Sequence, residues 1–251
     1  MTINLSGKTA LITGAAGQLG RVMARTLAAS GADIALHYRS DEKGAALLAD
    51  EIRAMGRRVF PVQADITREA EVNRMAAQVT ENLGTVDIVV NNAVIQYGWK
   101  TILAQSLQDF QSQFDSCILQ SVLTAKAFLP AMQRRGGGRF IGINTECSTL
   151  CLADSGAYAA AKSGMSGLYR VLAKEMGGHN ITVNQLSPGW TISDRDRDNA
   201  TEDAPEYNKR IPLGRRGTDV EIANVVLFLA SDLSSYITGA NIPVCGGAYM
   251  Q

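Results

Sequence analysis

Histidine is scarce in this chain: 251 residues hold two, His37 and His179. Cysteine is nearly as rare, with Cys117, Cys147, Cys151 and Cys245 and no CxxC pair. A metal centre needs several convergent ligands, so none is expected. A chain of this length needs no disulfide staples, and the four thiols read as buried or half-buried side chains. Neither sign of charge is in excess, because 24 Lys and Arg balance 24 Asp and Glu. That argues against nucleic acid or a membrane surface as the main partner. No apolar run approaches the roughly twenty residues of a membrane span. The opening MTINLSGKTALITGA lacks the basic start, apolar block and cleavage site of a signal peptide, so a cytoplasmic protein is expected. No repeat or low-complexity linker divides the chain, and residues 1–251 read as one domain.

What is present is an alternation of short apolar strands and longer helical stretches. KTALIT (Lys8–Thr13), DIALHY (Asp33–Tyr38), RVFPVQ, VDIVVN, GRFIGIN, ITVNQL and NIPVC read as strands. Between them lie helical segments. LGRVMARTLAAS closes at Gly31, and a second helix runs from an N-cap at Ser40 to Gly56, with Asp41 and Glu42 in its first turn. Long helices are expected over Leu107–Arg135 and Ala157–Met176. Thr218 and Glu221 form a capping box that opens EIANVVLFLAS. Strands separated by helices imply an α/β fold: a parallel sheet with right-handed crossovers and helices on both faces. The stretch from Ser193 to Arg210 is polar, charged and irregular. It reads either as a solvated loop or as a flap over a pocket, spanning about 190–212.

LITGAAGQLGR follows the first strand and opens the first helix. Gly14, Gly17 and Gly20 allow a tight turn and close backbone approach, and the helix N-terminus beyond Gln18 and Leu19 offers N–H groups to a pyrophosphate. After the second strand, where an acid would take the ribose hydroxyls of NAD, the chain has Tyr38, Arg39 and Ser40. A guanidinium and a hydroxyl suit a 2′-phosphate, so NADP(H) is favoured over NAD(H). Asp65 and Ile66, after the third strand, sit where the adenine would lie. Further on, Tyr158 and Lys162 are four residues apart, one helical turn, so both can face one pocket. An ammonium beside a phenol, together with the positive ring of an oxidised nicotinamide, favours phenolate and brings its pKa from about 10 closer to the working pH. Thr145 is the first place to look for a hydroxyl partner.

These motifs together resemble the short-chain dehydrogenase/reductase family over essentially the whole length. The carriers are TGAAGQLG (Thr13–Gly20), NNA (Asn91–Ala93), YAAAK (Tyr158–Lys162), SPGW (Ser187–Trp190) and the tail IPLGRRG…SYITGANIPVCGG. The tail is similar to that of 3-oxoacyl-ACP reductases and sugar dehydrogenases. LHYRS is similar to pteridine reductases and other NADP-accepting members. The resemblance implies a Rossmann-type, doubly wound, seven-stranded parallel sheet and hydride exchange with a small carbonyl or alcohol substrate. Tyr158 would pass the proton, and Lys162 would support it and hold the nicotinamide ribose. Asn92 and Ala93 would border the cofactor, and Thr191 and Ser193, after Pro188 and Gly189, would meet the carboxamide. Homodimers or homotetramers are also implied.

Five departures stand out. Gln18 replaces the middle glycine of TGxxxGxG, Val94 ends NNAG, and Cys245 opens what is usually DGG. The family serine is Thr145, whose methyl stiffens χ1; Ser148 is the alternative after realignment. The family's helix asparagine falls on Cys117, a weak hydrogen-bonding group that keeps only the backbone carbonyl, with Gln120 and Ser121 one turn on. Two other functions therefore compete with the reductase: a nucleotide-binding sensor or scaffold without turnover, and a C=N reductase on the same fold. Trp190, Tyr97 and Trp99 are expected to wall the substrate pocket. Glu146 is expected either to select a cationic or hydroxylated substrate or to pair with Arg195 or Arg197.

Overall fold

The computed structural model describes residues 3–250. Its strands are β1 (Thr9–Ile12), β2 (Asp33–Tyr38), β3 (Val59–Gln63), β4 (Ile88–Asn91), β5 (Gly138–Ile143), β6 (Ile181–Pro188), β7 (Thr191–Ile192), β8 (Gly217–Thr218) and β9 (Asn241–Val244). Its helices are α1 (Gln18–Ala29), α2 (Glu42–Ala54), α3 (Glu69–Leu83), α4 (Leu107–Phe114), α5 (Gln120–Arg135), α6 (Cys147–Leu150), α7 (Gly156–Met176), α8 (Asp194–Asp198), α9 (Pro205–Asn208) and α10 (Asp219–Ala230). Seven strands form one sheet in the order β3-β2-β1-β4-β5-β6-β9. Every pairing in it is parallel, with Leu11 beside Ala35 on one flank and Val89 on the other. This is the doubly wound Rossmann-type sheet expected.

The inner strands TALI, IVVN and GRFIGI are buried at every position, as a sheet covered on both faces requires. One face packs Met23 and Leu27 of α1, Leu48 and Ile52 of α2, and Ile222 and Val226 of α10. The other packs Met75 and Val79 of α3, Leu123 and Phe128 of α5, and Met165 and Tyr169 of α7. Fully burying each such side chain contributes roughly 1.5–3 kcal/mol. The chain reverses its strand order between β1 and β4, and a crevice opens beyond their carboxyl ends. Ligands of open α/β sheets bind at that place.

Three local expectations are corrected. The N-cap of α2 is Asp41, which accepts from the Gly44 N–H, so Ser40 lies one residue outside the helix and keeps its hydroxyl free of that duty. The helix expected over Leu107–Arg135 is interrupted by a π-helical turn, Asp115–Leu119, which inserts an extra residue per turn and re-aims the backbone around Cys117. The polar stretch after Ser193 is not an irregular loop. It holds α8 and α9 and is anchored by the β7–β8 pair. Ser193 caps α8 in a capping box with Asp196, and Thr218 caps α10 with Glu221, the latter as expected.

Candidate active site

A cleft of about 1080 Å³ runs along the carboxyl edge of the sheet. Gly14, Gly17, Gln18 and Leu19 line it from the β1–α1 turn. Arg39, Ser40, Asp65 and Ile66 line its outer end; Asn92, Ala93, Pro188, Gly189, Thr191 and Ser193 line its middle. Thr145, Tyr158 and Lys162 line its inner end. Of the residues expected to act in catalysis or to bind the cofactor, Gly20 alone does not line the cleft. A Cβ there would lie 2.2 Å from the Gly14 carbonyl oxygen, so its bareness lets α1 pack on the turn. Gly14 itself has φ +63°, which favours glycine.

The turn is tied down by side chains the sequence did not flag. His37 is 1% exposed, and its Nδ1 accepts from the Gly14 N–H at 2.9 Å. Nε2 must then carry the proton and donate to the Ala64 carbonyl at 2.9 Å. Burial lowers the His37 pKa to about 4, against the pull of that carbonyl and of Asp65. The Thr13 hydroxyl accepts from the N–H groups of Asn92 and Ala93, and the Asn92 amide donates back to the Thr13 carbonyl. Asn92 is thus a brace as well as a lining residue.

Fit to a dinucleotide can be judged from the turn itself. Gly17 is the N-cap of α1 and offers no side chain to the first-turn N–H groups, and no acidic residue stands there. Those donors and the helix dipole suit a pyrophosphate. Arg39 and Ser40 are exposed at the adjoining end. The Asp65 carboxylate accepts from the Thr67 hydroxyl and N–H and is held below its ordinary range despite partial burial.

At the inner end, β5 delivers Thr145 and α7 delivers Tyr158 and Lys162. Asn144 joins the two. Its amide donates to the Lys162 carbonyl and to Gln185 Oε1 (2.7 Å), and its oxygen accepts from the Thr145 N–H. The Thr145 hydroxyl accepts from the Cys147 N–H at 3.3 Å, which leaves its proton free to donate elsewhere. The Ser148 hydroxyl donates to the Thr145 carbonyl, and Ser148 does not line the cleft. Lys162 Nζ donates to the Ile143 carbonyl at 2.6 Å and lies 5.7 Å from the centre of the Tyr158 ring. Burial pushes the Tyr158 phenol above its ordinary value, with the Thr145 hydroxyl opposing, and pushes Lys162 down. The fall expected for Tyr158 includes the field of the cofactor's positive ring; in the protein alone, burial sets the direction.

Two further expectations change. Tyr97 does not wall the cleft. Its hydroxyl accepts from the Tyr158 N–H at 2.9 Å, satisfying a first-turn donor of α7 that the Ser155 N-cap leaves open. Trp99 and Trp190 do line the cleft. Glu146 faces the cleft and meets Tyr207, not Arg195 or Arg197; Arg197 is bound to Asp219 and Asp194. Cys117 is fully buried and does not line the cleft, whereas Ser116 does. The Ser121 hydroxyl donates to the Cys117 carbonyl, and the Gln120 amide donates to the Ala93 carbonyl at 2.6 Å. An amide three residues beyond Cys117, just after the π-helical turn, therefore braces the loop after β4.

Among the described residues no cluster of His, Cys, Asp or Glu could hold a metal ion, and no helix is long and apolar enough to cross a membrane.

The family model described as Enoyl-(Acyl carrier protein) reductase matches residues 14–249. The 3-oxoacyl-[acyl-carrier-protein] reductase of Staphylococcus epidermidis is 34% identical over 243 residues, 97% of this chain and 99% of that protein. A gluconate 5-dehydrogenase from Burkholderia cenocepacia, solved with NADP and tartrate, superposes with a TM-score of 0.90 at 30% identity, covering 98% of this chain and 97% of that one. A 7α-hydroxysteroid dehydrogenase solved with NADH and a 7-oxo bile acid also superposes at 0.90 and 30% identity, covering 100% of this chain and 97% of that one. With a full-length sequence relation and the doubly wound sheet in agreement, the chain belongs to the short-chain dehydrogenase/reductase family of oxidoreductases.

Proposed function

We propose that the protein, one domain over residues 1–251 with a flap at about 190–212, is an NADP(H)-preferring carbonyl reductase or alcohol dehydrogenase acting on a small molecule. The observation that carries the reading is the convergence of Tyr158, Thr145 and Lys162 at the end of the cleft that begins at the uncapped N-terminus of α1. Gly14, Gly17 and the first turn of α1 would hold the pyrophosphate. Arg39 and Ser40 would hold a 2′-phosphate. Lys162, Thr191 and Ser193 would flank the nicotinamide riboside. When bound, the reduced nicotinamide supplies a hydride to the carbonyl carbon.

The chain's own groups manage the oxygen. Thr145 donates its free proton to the substrate oxygen, and Tyr158 transfers its phenolic proton as that oxygen gains charge. The Tyr158 phenol is protonated at neutral pH, as a tyrosine of ordinary pKa already is, and because burial alone makes it a weaker acid the field of Lys162 must assist the transfer. Lys162, anchored on the Ile143 carbonyl, then offsets the charge of the phenolate. Arg39 supports NADP(H), because its side chain is exposed and makes no ion pair among the described residues, and a 2′-phosphate would supply one.

The test is NADPH oxidation with a panel of ketones, diketones, sugars and a dihydropterin. Reduction of a ketone supports the proposal. Cofactor binding with no turnover on any substrate would favour a sensor, and turnover of the dihydropterin alone would favour a C=N reductase. A cytoplasmic homodimer or homotetramer is the setting expected for such an enzyme.

A further inference from the structure

Glu146 follows Thr145 directly, so its side chain begins one residue from the hydroxyl assigned to the substrate oxygen. It is 4% exposed and lines the cleft. A carboxylate withdrawn from water ordinarily takes a cationic partner. Among the described residues its side-chain hydrogen-bond partner is Tyr207, whose hydroxyl lies 3.1 Å from both Oε1 and Oε2. Nearby cations are committed elsewhere: Arg216 to Asp196 and Arg197 to Asp219. Arg210 lines the same end of the cleft and acts on Glu146 only through its field.

The network sets the direction of each proton. The Trp190 N–H donates to the Tyr207 hydroxyl oxygen at 2.9 Å, which leaves the Tyr207 proton for Glu146. With the Trp190 N–H also acting on the carboxylate, two donors at most meet two oxygens that together offer about four acceptor positions. Gly189 leaves the room for this contact. A Cβ there would lie 3.1 Å from Glu146 Oε2 and 2.7 Å from the Tyr207 oxygen. Trp190 and Tyr207 pack edge to face at 5.5 Å and form a wall beside the carboxylate. The result is a desolvated acceptor with spare capacity, next to the reacting centre and open to the cleft.

We propose that Glu146 is a specificity-determining residue that accepts a hydrogen bond from a donor, hydroxyl or ammonium, on the carbon next to the reacting carbonyl. The inference rests on the reductase reading. The competing role for Glu146 is a brace that holds α9 in place through Tyr207.

Three ketones of one shape separate these roles: hydroxyacetone, aminoacetone and butan-2-one place OH, NH3+ or CH3 at one position. NADPH oxidation is followed with wild type, Glu146→Gln, Glu146→Leu and Tyr207→Phe. Wild type is expected to prefer a donor-bearing ketone to butan-2-one by on the order of 10- to 100-fold in kcat/KM. Glu146→Leu brings that ratio close to one, while Tyr207→Phe lowers all three substrates alike. Glu146→Gln separates the two donors: a neutral amide oxygen still accepts from a hydroxyl, so a preference for hydroxyacetone largely survives, whereas one for aminoacetone is lost. The proposal is overturned if the ratio persists in Glu146→Leu, or if Glu146→Leu and Tyr207→Phe depress every ketone by one common factor. Ketone reduction without preference in wild type removes this inference and leaves the reductase; no NADPH oxidation with any ketone removes both.

Discussion

Acid should loosen the cofactor turn through His37. The imidazole is neutral in the folded protein because Nδ1 must accept from Gly14, and protonation there removes the acceptor. Its pKa falls from 6.5 to about 4 on folding. As pH drops below 6.5 the unfolded chain takes up the proton while the folded protein does not, so stability declines until the folded pKa is reached and no further below it. The full difference corresponds to roughly 3 kcal/mol, of which about 2 kcal/mol is lost between about pH 7 and about pH 4.5. Many carboxylates titrate over part of this range, so the reading must be a difference between proteins. Urea unfolding of wild type and His37→Leu at both pH values supplies it. The variant is expected to be less stable at neutral pH, because the Gly14 N–H and Ala64 carbonyl lose a partner. The gap should close by about 2 kcal/mol at the lower pH. A gap that stays constant across the two pH values would refute the assigned tautomer and the burial argument with it.

Other substitutions probe the rest of the cleft. Arg39→Ala should weaken NADPH binding by about 10- to 100-fold while leaving NADH binding nearly unchanged, as read by nucleotide fluorescence titration. Equal losses for both cofactors would argue that Arg39 stacks on the adenine instead. Gly20→Ala forces a methyl against the Gly14 carbonyl oxygen, at 2.2 Å before relaxation. It should cost about 1–3 kcal/mol in thermal or urea unfolding and weaken the binding of either cofactor. Gln120→Leu removes the donor to the Ala93 carbonyl and should destabilise the protein by about 1–3 kcal/mol with a matching fall in turnover. If turnover is unaffected, the amide beyond the π-turn does not replace the one absent at position 117.

The parts of the fold that local pattern encodes were legible in the sequence. Apolar runs bounded by glycine mark the strands, and the Thr218–Glu221 pair marks the start of α10. Contacts between distant residues were not legible. Nothing in the spacing of His37 and Gly14, of Tyr97 and Tyr158, or of Glu146 and Tyr207 announces a hydrogen bond across 23, 61 and 61 positions. Arg216 shows the same blindness. It reads as one more basic residue, yet it is 2% exposed, donates to the carbonyls of Thr191 and Thr201, and lies 4.2 Å from the centre of the Trp190 ring. The depth of burial that raises the Tyr158 pKa in the protein alone is not visible in a sequence, whereas the adjacent lysine is. The π-turn was missed because a helical apolar period does not distinguish 3.6 residues per turn from a local widening.

Tyr158 is the group proposed to pass a proton to the substrate oxygen. The most direct measurement compares NADPH oxidation by wild type and Tyr158→Phe on one ketone, with cofactor affinity measured for both. Loss of turnover by about 10²- to 10⁴-fold at unchanged cofactor affinity is predicted. Equal turnover by the two proteins would contradict it.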